Sequence, residues 1–186
     1  MLNKAEFNKI RLEMNDFDKR REYIINKAHE VIHLSKLIVH SMQKDETNIS
    51  HLIKKIDLLV TEMRTRGELQ FTGFYKTAMQ EYVEAVCFYE VIKSNKLPTQ
   101  AELKVSAPDY LAGLSDLTGE LMRKANNLWI NKKTKEALKI IDLVKDIYDA
   151  FVQLDIREQE LRKKADAIKY NVRKLEDLEN HIKSRR

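Results

Sequence analysis

The sequence predicts an all-α fold, a single-domain bundle of about seven helices filling residues 1–186. Three observations carry this reading. Only four Gly and two Pro occur in 186 residues, so the chain has few breaking points. Charged residues make up 34% and hydrophobic residues 43%, the mixture expected of amphipathic helices. Apolar residues recur at steps of three and four along most of the chain, and no stretch alternates as a strand does.

The elements follow in order. The first helix runs from about Leu2 to Met42, with Ile24, Ile25, Ala28, Ile32, Leu34, Leu37 and Ile38 in rough 3/4 spacing. Polar QKDETNIS ends it, and Ser50 is placed to cap a second helix reaching about Arg64. Gly67 and Gly73 punctuate the start of a third, from about Phe71 to Lys96, and NKLPT closes it. Ala101 to Val105 reads as one short helical piece. Pro108, just after Ser106, opens a helix from Asp109 to about Ile130, where proline's fixed φ suits the first turn. NKKTK is a turn, and helices from Glu136 to about Leu154 and from Ile156 to Lys183 complete the bundle.

Composition excludes several classes of function. No run of about 18 apolar residues exists, so no membrane-spanning helix is expected. The N-terminal MLNKAEFNKIRLEMNDFDKRRE is charged throughout and lacks an apolar signal core. The lone Cys87 rules out an internal disulfide and suits a reducing cytoplasm, the expected location. In its apolar setting Cys87 is a poor nucleophile. Walker loops, dinucleotide fingerprints and Cys/His zinc spacings are absent. The formal charge of +5 permits a nucleic-acid partner without requiring one. Short basic clusters such as Lys19-Arg20-Arg21, Lys54-Lys55, Lys132-Lys133, Arg162-Lys163-Lys164 and Lys183 to Arg186 are dispersed, and solvated faces account for them.

Two motifs invite a metal. HEVIH, residues 29–33, has the H-E-x-x-H spacing that puts His29 and His33 on one helical face with Glu30 between them. Five residues are a weak signal, no third ligand is evident, and a helix surface holding two histidines is the better account. Glu30-x-x-His33 is also half of a ferritin-like di-iron motif, whose second half is missing.

EYVEAVCFYE, residues 81–90, is the sharper case. Glu81 and Glu84 lie about 60° apart on a helix that is otherwise apolar almost all round. Two neighbouring carboxylates on such a segment are costly unless something positive compensates them. That compensation is either an ion pair with Lys or Arg from another helix, or a hard divalent cation. In DYLAGLSDLTGELMRKANN, residues 109–127, Asp116 and Glu120 lie about 40° apart. Asp109, Gly113, Arg123 and Asn127 extend their polar stripe. Gly113 and Gly119 each cost about 1 kcal/mol in a helix interior, which points to close packing or a ligand.

Those two stretches, QEYVEAVCFYEVIKSNKLPTQAEL (80–103) and DYLAGLSDLTGELMRKANN, resemble the translin/Trax superfamily, and its Trax branch most. EVIHLSKLIVHSM (30–42), IYDAF (147–151) and KYNVRKLEDLE (169–179) are similar to further helices of the family, so the resemblance spans the chain, as in a prokaryotic or archaeal homologue. It implies an all-α translin-like fold of about seven helices that assembles into closed, usually octameric, shells around nucleic acid. It also implies a metal-dependent endoribonuclease site of the Trax kind, whose acids fall on Glu81, Glu84, Asp116 and Glu120. On this expectation Glu81, Glu84 and Asp116 hold one or two Mg²⁺ (or Mn²⁺) ions, with Glu120 a fourth ligand or a base. Arg123 either neutralises the cluster, the better account, or touches the scissile phosphate. RNA, or single-stranded DNA, is the expected partner, together with further copies of the chain. The alternative is a non-catalytic RNA- or ssDNA-binding oligomer that keeps the acids as structural ion pairs, and a third reading is a plain helical scaffold. Within the family, HEVIH lies in the first helix and is no zinc site. The segment between Lys96 and Asp109 is shorter than in eukaryotic Trax, and the closing helix is more translin-like, which favours assembly with itself.

Overall fold

The computed structural model describes residues 2–46, 48–64 and 73–184. The expected breaks at Gly67 and Phe71, and the last two arginines of the C-terminal basic cluster, lie outside them. Seven helices appear among the described residues: α1 (Lys4–Gln43), α2 (Ser50–Arg64), α3 (Gly73–Ser94), α4 (Gln100–Leu103), α5 (Ala107–Ile130), α6 (Thr134–Val152) and α7 (Gln159–Ser184). No strand occurs among the described residues.

The ends follow from local chemistry. Asn3 accepts the amides of Ala5 and Glu6 to start α1. Thr99 and Glu102 form a reciprocal capping box on α4. Ser106 accepts the Asp109 amide at 3.2 Å, and Pro108 sits in the first turn of α5. Ser50 is the first residue of α2 and not its cap; the Leu52 and Ile53 amides donate instead to the Ile49 carbonyl. With so few glycines, left-handed residues after helix ends are Asp45, Asn95, Lys104 and Lys132. Asp and Asn tolerate that conformation through short polar side chains; the two lysines carry its steric cost.

Helix α3 is the inner element, packed on α1, α2 and α5; α5 in turn packs on α6 and α7. Buried positions of α1 begin only at Ile24, so its N-terminal part stands clear of the core, with Phe7, Ile10 and Met14 exposed. Around α3 the apolar expectation holds nearly all round: Tyr82, Val83, Ala85, Val86, Cys87, Phe88 and Tyr89 are all buried.

The glycines of α5 behave differently from each other. A Cβ on Gly113 would stand 2.6 Å from the Val83 Cβ and 2.7 Å from the Gln80 carbonyl oxygen, so the absent side chain lets α5 touch the α3 backbone. Gly119 meets only the Asn171 side-chain nitrogen at 3.8 Å, ordinary van der Waals contact, so the expectation of close packing fails there. Gly113→Ala is accordingly expected to destabilise by about 1–3 kcal/mol through overpacking. Gly119→Ala should stabilise by up to about 1 kcal/mol through helix propensity. Paired thermal or urea unfolding of the two variants checks both signs.

Candidate functional site on the α3–α5 seam

The Gly113 contact sets the distance between two helices that each carry an acidic pair. On α3, Glu84 is the one half-buried residue between Tyr82 and Tyr89, every other position in that run being buried; Glu81, a turn earlier, is half-buried too. On α5, Asp116 and Glu120 are half-buried on the side facing α3. A recess of about 330 Å³ is lined by Lys36, Val39 and His40 of α1, Glu81 and Glu84 of α3, and Glu120 and Arg123 of α5. Asp116 does not line the recess, but its charge acts on both Glu81 and Glu84.

The electrostatics of this seam are strained. Burial, then the charges of Asp116, Glu81 and Glu120, push the Glu84 carboxyl from an ordinary 4.5 up to about 8, with Lys164 the one opposing charge. Burial and Asp116 raise Glu81 as well, against Lys36 and Lys164. Neither Glu81 nor Glu84 makes a hydrogen bond or an ion pair among the described residues.

Their α5 counterparts are partnered. Lys164 of α7 forms an ion pair with Asp116 and donates to its Oδ2. Arg123 Nη1 lies 3.7 Å from Glu120 Oε2, so Arg123 does neutralise part of the cluster. Gln43, the last residue of α1, donates from Nε2 to Glu120 Oε2 at 2.8 Å and to the Glu120 carbonyl at 2.9 Å. One turn beyond, the fully buried Lys124 donates to the Met42 carbonyl at 2.6 Å and pairs with Asp45 at 2.8 Å. These carbonyls end α1 and have no partner within the helix.

Chemically the four carboxylates suit a hard cation, because oxygen donors favour Mg²⁺ or Mn²⁺ and the negative field at Glu84 is only partly offset by Lys164. In the present side-chain positions the set is not assembled: among the described residues no group of three or more His, Cys, Asp or Glu could hold a metal ion. Asp116 is turned to Lys164 and Glu120 to Gln43 and Arg123. Both readings of the sequence are therefore partly represented, ion pairs on α5 and unpaired acids on α3.

The remaining candidates resolve simply. His29 and His33 are both exposed on α1, and the His29 ring stands edge-on to Phe74 at 5.5 Å. Lys27 lies 3.6 Å from Glu30, so HEVIH is a solvated helix face. Asp109 leaves the expected stripe: it is buried and accepts the Ser106 hydroxyl at 2.6 Å as part of the α5 start. Cys87 is buried, which pushes its thiol up to about 12. Sequence reading missed Lys36, Gln43 and Lys164. Lys164 is 48 residues from Asp116 and Gln43 is 77 from Glu120, and no local pattern links such pairs. Lys164 did stand in the Arg162-Lys163-Lys164 cluster that reads as solvated.

The Translin family model matches residues 6–185. The chain belongs to the Translin family. Among curated relatives, an uncharacterized protein of Methanocaldococcus jannaschii is 27% identical, the match covering 80% of this chain and 70% of that one. Mouse translin-associated protein X is 24% identical over 86% of this chain and 65% of its own length, and chicken translin 33% identical over 73% and 66%. This chain thus spans about two thirds of the length of the translin and translin-associated relatives. The solved structure of apo-NeC3PO is 24% identical with a TM-score of 0.87, covering 95% of this chain and 96% of that chain. AfC3PO in complex with duplex RNA is 23% identical with a TM-score of 0.85, covering 97% and 98%. This Translin-family chain therefore has the all-α fold of those structures. No described helix is long and apolar enough to cross a membrane.

The displaced carboxyl gives a pH signature. Between about 4.5 and 8 the folded protein keeps a proton on Glu84 that the unfolded chain has released. The corresponding stability is complete below the lower value and lost as pH rises through the upper one. Thermal unfolding in a chelator, followed from about pH 5 to about pH 9, is expected to show that decline, and Glu84→Gln to reduce its slope. A variant with the same slope as wild type would show that Glu84 does not titrate this way.

Proposed function

We propose that this protein is a metal-dependent endoribonuclease of the translin/Trax type, acting as a subunit of a closed homo-oligomeric shell, an octamer being the expected form. The observation that carries the reading is the acidic seam: two unpaired, partly desolvated glutamates on α3 opposite two more acids on α5. Glu81, Glu84 and Asp116 would hold Mg²⁺ or Mn²⁺, with Glu120 beside them. The cation supplies Lewis acidity toward a phosphate oxygen and lowers the pKa of water at the site.

The chain's own residues do the rest. Glu84, whose carboxyl holds its proton at neutral pH, would have to release it to serve as a ligand, so cation binding would couple to deprotonation. Asp116, now paired with Lys164, would have to leave that pair to join the set, and the ammonium would then be available to a substrate phosphate. Arg123 lines the same recess with 60% of its side chain exposed, and would contact a phosphate oxygen there. RNA is the proposed substrate because of family membership and because AfC3PO, which shares the fold, is known with duplex RNA. Single-stranded DNA is a secondary candidate.

One observation favours a second reading. Lys164 on Asp116 and Arg123 on Glu120 are the ion pairs that a non-catalytic RNA- or ssDNA-binding oligomer would keep. The two readings part in a cleavage assay on labelled RNA with Mg²⁺. Glu84→Gln is expected to lose at least about 100-fold in rate, as removal of a metal ligand does, while RNA binding persists. Wild type that binds RNA and cleaves no faster than Glu84→Gln would sink the nuclease reading and leave the binder. Absence of RNA and DNA binding at low salt would leave a scaffold.

A further inference from the structure

We propose that Gln43 is a positioning residue for Glu120, fixing its carboxylate in the acidic recess through a side-chain amide that the end of α1 delivers. The inference rests on the metal-site reading above and extends it to a residue with no charge and no place in either acidic motif.

Gln43 is 7% exposed, and its Nε2 donates to two acceptors of one residue, the Glu120 carbonyl and the Glu120 Oε2. Backbone and carboxylate are thereby tied to a single amide. The orientation of that amide is dictated by chemistry: turned over, its oxygen would face two acceptors and donate to neither. The other half of the amide is left unsatisfied, for Gln43 Oε1 is buried without a hydrogen-bond donor among the described residues. A glutamine kept in the interior with one polar atom unpaired is a poor choice for stability alone. A methionine would fill the same space without that loss.

The anchor for this amide is unusually firm. Lys124, 2% exposed, reaches from α5 to the Met42 and Gln43 carbonyls and to the Asp45 carboxylate. Asp45 itself takes the left-handed conformation, φ 62°, that turns the chain back at this point. Since Lys124 stands one turn from Glu120 on the same helix, α5 supplies both the carboxylate and the clamp that brings Gln43 onto it. The remaining neighbour of the Glu120 carboxylate, Arg123 at 3.7 Å, is too long for a hydrogen bond and exposed, so the amide is the group that sets the direction. The residue so held lines the recess it shares with Glu81 and Glu84.

The test is Mn²⁺ binding to the full chain, read by electron paramagnetic resonance and calorimetry, with thermal stability and metal-free RNA binding measured alongside. Gln43→Met is expected to weaken Mn²⁺ affinity by about 10–100-fold, the range for loss of a residue that orients a metal ligand, with stability and RNA binding unchanged. A purely structural Gln43 would do the reverse, lowering the unfolding temperature and leaving affinity intact. If Gln43→Met binds Mn²⁺ as wild type does while Glu120→Gln does not, the positioning role is wrong and the metal site stands. If neither Glu84→Gln nor Glu120→Gln alters Mn²⁺ binding, the metal-site reading itself fails and the inference goes with it.

Discussion

The close approach of α3 and α5 at Gly113 is the constraint on which the rest of the molecule turns. Without a Cβ at that position, the α5 backbone comes within contact of Val83 and of the Gln80 carbonyl. Gln80 immediately precedes Glu81, and Gly113 lies one turn before Asp116. A packing decision among apolar residues therefore fixes how near the two acidic pairs stand. At larger separations water would enter and screen them; here burial is the largest cause of the upward displacement of Glu84.

Once the acids are forced together, the surroundings compensate them unevenly. The α5 pair receives Lys164, Arg123 and the Gln43 amide. The α3 pair receives only longer-range help from Lys36 and Lys164. An unevenness of this kind is what the proposed metal site would need. If all four carboxylates were paired, a cation would have to displace every partner; if none were, the metal-free fold would carry the repulsion of four charges. Leaving the strain at Glu84 lets a single proton neutralise it.

The fold was legible in the sequence because helices announce themselves locally. Capping residues, proline at a first turn and 3/4 periodicity are readable within one window, and Ser106 and Pro108 start α5 where such a reading places them. The acidic pairs were legible as well, since Glu81 with Glu84 and Asp116 with Glu120 fall within single turns. What joins them was not. Lys164, Gln43 and Lys124 act across 48, 77 and 82 residues of chain, and their roles depend on which helix ends meet. Gly113 and Gly119 look alike as interruptions of one helix, yet one touches a backbone and the other meets only the Asn171 side chain at an ordinary distance. Asp109 fits the polar stripe of a helical wheel, but at the helix start its carboxylate is taken up by the hydroxyl of the capping Ser106.

The buried lysine shows what the end of a long helix contributes to this seam. Helix α1 runs 40 residues, and its C-terminal carbonyls must find donors somewhere. Solvent or a glycine turn could satisfy them, as at most helix ends, and α1 would then be free to slide or fray by part of a turn. Here the amides of Lys44, Asp45 and Glu46 turn back onto the His40, Ser41 and Met42 carbonyls, and Lys124 adds a donor from a neighbouring helix to the Met42 and Gln43 carbonyls, its own charge being met by Asp45. Burying an ammonium in this way contributes little net stability, because its desolvation offsets most of the attraction. What it does provide is registration. The end of α1 is held against one turn of α5, the turn that carries Glu120, and a hydrogen bond of 2.8 Å from Gln43 has meaning only between elements registered that closely.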